Sequence, residues 1–245
     1  MDQQTKAALK KDKFVTTTTH GLEWASENRR SVITTTALLL GAILVVVLGA
    51  VVYANRSAAA SVAFGEAIQA YQTPLSEPGQ AVPPGIKTYP SASERAKAAN
   101  ALFVATAGKY GMTPDGRNAR YFAGLTYIES GQNQPAEDTL KKVASGWDSD
   151  LAGLAKISLA NLYRNTGRDS QAIEIYNQLI AKPTVTVPAG LAKLQLAELY
   201  QAEGKTADAR SIYAKLKDSD PKGPAGVLAA EKLNPTPAAR PPQQQ

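Results

Sequence analysis

Side chains able to carry acid–base, nucleophilic or metal chemistry are scarce in this sequence, and they are poorly spaced for it. Histidine, the usual general base near neutral pH and the commonest metal ligand, occurs once, as His20. Cysteine is absent, which removes thiol nucleophiles, disulfides, redox pairs and cysteine zinc sites together. Asp148 and Asp150 flank Ser149, but a calcium loop needs more oxygen donors at regular intervals, so the pair reads as helix-capping. Glu137-Asp138 falls where a helix is expected to begin and acids favour the dipole, and Lys141-Lys142 reads as a solvated face. No glycine loop of the GxxxxGK type is present. The expectation is a protein that is not an enzyme, with no cofactor, no metal and no small-molecule substrate.

The elements behind these residues are helical by composition. Of 245 residues, 42 are alanine and only 7% are aromatic, which suits closely packed helices. At 44% hydrophobic and 20% charged, the chain is neither disordered throughout nor a polytopic membrane protein. The net charge of +6 divides evenly. Residues 1–56 hold seven Lys/Arg against four acids, and the remainder holds 20 against 17. So balanced a remainder lacks the concentrated basic stripe that nucleic acid requires.

From Ser31 to Asn55 there is no charged residue. Within this stretch Val32–Ala54 is mostly apolar, and as a helix it would span about 34 Å, enough for a hydrocarbon core of about 30 Å. Trp24 and Tyr53 stand where amphipathic rings suit an interface. Six Lys/Arg precede the span, and after Arg56 the next is Lys87, so the N-terminus is expected to be cytoplasmic. Ala58-Ala59-Ala60 and Ser61-Val62-Ala63 would also suit a cleaved signal peptide. The long polar lead-in and the length of the apolar run favour an uncleaved anchor.

Past the span the chain repeats. Tyr127, Tyr163 and Tyr200 are each followed four residues later by Gly131, Gly167 and Gly204. Next come Ala136, Ala172 and Ala209, then Leu140, Tyr176 and Tyr213, then Val143, Leu179 and Leu216. Periods of this size mark a solenoid of helical hairpins. Glycine is expected to end each first helix at a positive φ, alanine to let two backbones approach, and Pro183 and Pro221 to follow the second helices.

This pattern resembles the tetratricopeptide repeat, in three copies over about 118–221, with a half-copy at Ala99 and Phe103 that opens on a capping box, Ser91-x-x-Glu94. Residues 57–73, with Phe64 and Ile68 inward, are expected to supply its first helix, and the proline-rich stretch 74–90 to be an insertion. The family's tryptophan column holds Arg120, Lys156 and Lys193 instead, and its second alanine is replaced by Val143, Leu179 and Leu216. The expected organisation is a cytoplasmic head at 1–30, a transmembrane helix at 31–55, a first solenoid helix and insertion at 56–90, a repeat domain with capping helix at 91–233, and a disordered tail at 234–245. The fold class is all-α.

Head, anchor and repeats in this order also resemble the ancillary subunit of the bacterial Sec translocon. The resemblance implies an inner-membrane protein with its repeats outside the cytoplasm. Its partners would be translocon subunits, periplasmic chaperones or exported chains. A scaffold for envelope-assembly or cell-division complexes is the alternative. First helices of such solenoids line a groove. The expected protein-binding residues there are Tyr121, Leu125, Ile157 and Leu194 on an apolar side, and Asn161, Arg164 and Glu198 on a polar side.

Overall fold

In a computed structural model, residues 24–76, 85 and 87–234 are described. The head up to residue 23 with His20, the middle of the proline-rich stretch and the tail from 235 onward lie outside them. The chain divides into two compact units, Met1–Asn55 and Arg56–Gln245. One helix, α1 (Arg29–Gln72), contributes to both. The expected span at 31–55 and, but for residue 73, the expected solenoid helix at 57–73 lie within it. Arg56, Ser57 and the alanines that follow contain no helix breaker.

Within the first unit α1 is long and apolar enough to cross a membrane, by length and composition. Its side chains there, including Leu38 and Val45, are exposed. The hydroxyl of Thr34 donates back to the Arg30 carbonyl at 3.0 Å, which hides one polar group of the stretch.

In the second unit the helices after α1 are α2 (Ala92–Tyr110), α3 (Pro114–Glu129), α4 (Asn133–Ala144), α5 (Ser149–Asn165), α6 (Asp169–Ala181), α7 (Ala189–Ala202), α8 (Thr206–Ser219) and α9 (Pro224–Leu233). From α2 onward each packs on the next, and first helices also meet across repeats, α3 on α5 and α7 on α9. The end of α1 packs through large side chains. Phe64 lies 5.9 Å from Phe103 and 5.6 Å from Phe122, ring centre to ring centre, with Ile68 and Tyr71 in the same cluster. The Tyr71 hydroxyl donates to Glu129, and burial together with that carboxylate pushes its pKa up to about 12. The ends of the proline-rich stretch are pinned together: Tyr89 N–H donates to the Pro74 carbonyl and Ser76 N–H to the Tyr89 carbonyl.

The repeat columns become the core. Ala136, Ala172 and Ala209 are buried, as are Leu140, Tyr176 and Tyr213 and then Val143, Leu179 and Leu216. Burying each of the larger side chains stabilises the stack by roughly 1.5–3 kcal/mol. Gly131, Gly167 and Gly204 all have positive φ, at 77°, 70° and 77°, in the tight turns that close each hairpin. Gly124 serves a different need: a Cβ there would stand 2.6 Å from Leu140 Cδ2, so its bareness lets α3 and α4 approach. Ser91 caps α2 and Asp148 caps α5, each accepting from the N–H three residues on. Asp150 accepts from Val185 N–H and so fastens the loop before α7.

Glu137 corrects the sequence reading. It does not sit in the first turn of α4, and it is buried. Its Oε1 accepts from Lys141 Nζ at 2.7 Å and from the Tyr163 hydroxyl at 3.0 Å, and its Oε2 accepts from Arg168 Nη1 at 2.6 Å. Lys141 is therefore an ion-pair partner and not only part of a solvated face. Burial alone would raise the Glu137 carboxyl; the three hydrogen bonds outweigh it and hold the pKa at about 2. The group joins the first repeat to the second.

Candidate functional site

The expected groove residues project from α3, α5 and α7. Tyr121 is half-buried and bridges first helices, its hydroxyl 3.2 Å from Ser158 Oγ. Ile157 is half-buried, packed between the clusters around Leu159 and around Val187. Leu125 is partly exposed on α3. Leu194 departs from expectation. It is only 6% exposed and belongs to the core formed with Tyr213, Leu216 and Ala229, the last on the capping helix α9. That helix closes over the position, so Leu194 is not a groove residue and the apolar side is narrower than the spacing suggested.

The polar side is more organised than the sequence revealed. Asn161 is exposed, and its Oδ1 accepts from the Tyr176 hydroxyl at 3.2 Å. Arg164 Nη1 donates to Gln195 Oε1 at 3.1 Å, Gln195 Nε2 donates to Glu198 Oε2 at 3.2 Å, and Lys232 Nζ lies 3.1 Å from Glu198 Oε1. A continuous ribbon of polar heads thus crosses α5, α7 and α9. Burial raises the Tyr176 pKa above the ordinary phenol value, although Arg164 works against it, and the hydrogen bond to Glu198 raises that of Lys232. Arg164 and Glu198 are brought into this one feature, and Asn161 stands three residues before Arg164 on α5. Gln195 and Lys232 were missed. Gln195 stands three residues before Glu198 on the same helix face, which is a readable signal, whereas the docking of Lys232 depends on α9 and has none.

Chemically the ribbon offers hydrogen-bond donors and acceptors beside a strip of apolar side chain. Among the described residues no group of three or more His, Cys, Asp or Glu could hold a metal ion. Such a surface suits the backbone and side chains of a peptide.

Two segments match known families. Residues 157–184 and residues 191–223 each match a family model described as a tetratricopeptide repeat. They fall on the hairpins α5–α6 and α7–α8. Similar solved structures include two crystal structures of a candidate kinesin light chain of Podosopora anserina with nearly identical TPR-like repeats, one of them a variant. Each is 19% identical, covers 57% of this chain and 76% of its own, and has a TM-score of 0.48. No curated protein matches the chain. Tetratricopeptide repeats suggest a protein-interaction scaffold, and such scaffolds are typically not enzymes.

Proposed function

We propose that this chain is a scaffold anchored in the cell inner membrane, its N-terminus cytoplasmic and its repeats outside. There it serves the Sec translocon by holding exported chains or recruiting periplasmic chaperones. The observation that carries the reading is the polar ribbon Arg164–Gln195–Glu198–Lys232 running across successive first helices and the capping helix, with Asn161 three residues before Arg164 on α5. Support for the anchor comes from a helix of sufficient length and apolarity, and for its orientation from the six Lys/Arg that precede the span. The order of head, span and repeats supports the translocon.

Photo-crosslinking in native membranes tests it. A photoreactive residue at Leu125 or Asn161 should capture translocon subunits, periplasmic chaperones or exported chains. Capture of envelope-assembly or cell-division proteins would move the function to that alternative. Crosslinks from positions elsewhere on the repeats, with none from either groove position, would refute the groove as the binding face.

A further inference from the structure

A second surface lies on the other side of α3. Successive helix residues turn by about 100°, so Arg120, Ala123 and Tyr127 point about 130° away from Tyr121, Leu125 and Ile128. Arg117 and Arg120 of α3 and Lys142 of α4 together line a small cavity of about 40 Å³. Arg120 and Lys142 also line a neighbouring cavity of about 190 Å³, whose apolar lining is Val104 and Ala107 of α2 and Ala123 of α3. That volume has room for one acidic side chain.

The charge there is poorly answered. The one carboxylate in the lining, Asp148, has Oδ1 engaged in the cap of α5 and Oδ2 3.9 Å from Arg117 Nη2. Arg120 reaches a single carbonyl, Ala107, at 3.5 Å. Lys142 Nζ has no hydrogen bond or ion pair among the described residues, and Arg117 Nε is buried without a partner. Arg117 is also stacked on Trp147, its guanidinium carbon 4.5 Å from the ring centre, and that indole is 80% exposed.

Cations recur in part of this pattern, as Lys156 and Lys193 at the position of Arg120, but the full cluster does not. At the position of Arg117 the later repeats carry Gly153 and Gly190, where a Cβ would meet Thr184 and Ala225. At the position of Lys142 the second repeat carries Gln178 and the third Lys215. The cluster of three cations with an exposed tryptophan belongs to the first repeat alone. Arginine and tryptophan around a partly enclosed apolar floor are the composition of a protein-binding hot spot. Arg117 is engaged by Asp148, the Met112 carbonyl and Trp147, and Arg120 and Lys142, which have no ion pair among the described residues, select for carboxylate. A free inorganic anion would leave both the floor and the indole unused.

We propose that the cleft between α2, α3 and α4 docks an acidic peptide segment of a partner protein. One carboxylate seats between Arg120 and Lys142, and a neighbouring side chain lies against Trp147. The surface is separate from the ribbon on the other face, and neither reading depends on the other.

Trp147 supplies its own reporter. The chain has two tryptophans, so Trp24→Phe in the full-length protein in nonionic detergent leaves the indole at the cleft as the sole emitter. A synthetic peptide alternating glutamate with leucine should shift that emission saturably, and its glutamine counterpart should bind at least about tenfold more weakly. Lys142→Gln changes an exposed residue and cannot unfold the domain. It should weaken binding severalfold, and combined with Arg120→Gln by about tenfold or more, with helical content unchanged by circular dichroism. Absence of binding, equal binding of the two peptides, or equal binding by the variants would overturn the proposal. Saturation of the same signal by inorganic phosphate or by a single-stranded oligonucleotide at the peptide's concentrations would overturn the peptide as its occupant.

Discussion

Glu137→Gln should remove the charge that joins the first repeat to the second, and the size of its effect should depend on pH in a defined direction. The carboxylate is 7% exposed and held by Lys141, Arg168 and Tyr163. Its pKa is about 2 in the fold against an ordinary 4.5. A lowered carboxyl pKa stabilises the fold above the unfolded value, and the contribution is lost as pH falls through the folded one. The gap between the two corresponds to at most about 3.4 kcal/mol. Lys141 is 55% exposed and Arg168 is 35% exposed, so solvent screens both partners and about 2 kcal/mol is expected. For a unit of this size that is a fall of roughly 4–8 °C in Tm at pH 7. At pH 3 roughly two-fifths of the difference should remain, and near pH 2 parent and variant should converge. Thermal unfolding of the full chain in nonionic detergent, followed by circular dichroism, measures this. Hydrogen exchange of α4 and α5 amides localises it, because repeat arrays can open in pieces. Equal midpoints at pH 7, or a difference that persists undiminished at pH 3, would refute the assignment.

Other substitutions separate backbone, packing and surface effects. Gly167→Ala meets no neighbouring atom, so its cost should be the left-handed backbone alone, about 1–2 kcal/mol, and Gly167→Asn should cost less; chemical denaturation of the two variants checks the order. Gly124→Ala drives a methyl into Leu140 and should cost roughly 1–3 kcal/mol, measured the same way. Leu194→Ser should lower stability by about 2–4 kcal/mol because it opens the core under α9. Leu125→Ser, at a partly exposed position, should stay within about 0.5 kcal/mol of the parent while weakening partner capture. A Leu194→Ser chain as stable as the parent would restore that residue to the groove.

The parts of this fold that were legible in the sequence are those set by local periodicity. Tyrosine, glycine and alanine at fixed intervals define which face of each helix is inward and where the chain turns, and those positions are the buried columns and the positive-φ glycines. Phe64 and Ile68 could be placed inward because Phe64-Gly65-x-x-Ile68 repeats the first-helix columns, and both pack with Phe103. Residues whose environment is made by another element were misread or missed. Leu194 points outward from its own hairpin and becomes core only because α9 lies across it. Glu137 is solvent-like by composition, yet Arg168, 31 residues later, closes over it.

The two proposed recognition surfaces should differ in how they contribute to binding, because their polar groups start from different states. On the ribbon, the Arg164 side chain, Gln195, Glu198 and Lys232 already bond one another. A peptide there exchanges existing hydrogen bonds for new ones, and the net gain per bond is small, about 0.5–1.5 kcal/mol or less. Such a surface discriminates by fit and register more than by strength. In the cleft, Lys142 and Arg120 have strong bonds still to make, so an incoming carboxylate is favoured by charge and drawn in at long range. Added salt should therefore weaken capture of an acidic client by slowing its association, and Lys142→Gln should reduce that salt dependence, with Lys142→Gln and Arg120→Gln together reducing it further. Asn161→Ala should leave the salt dependence intact and act on dissociation. Association and dissociation rates measured at two ionic strengths separate the contributions. A salt dependence indifferent to Lys142 would mean that charge at the cleft does not steer the partner.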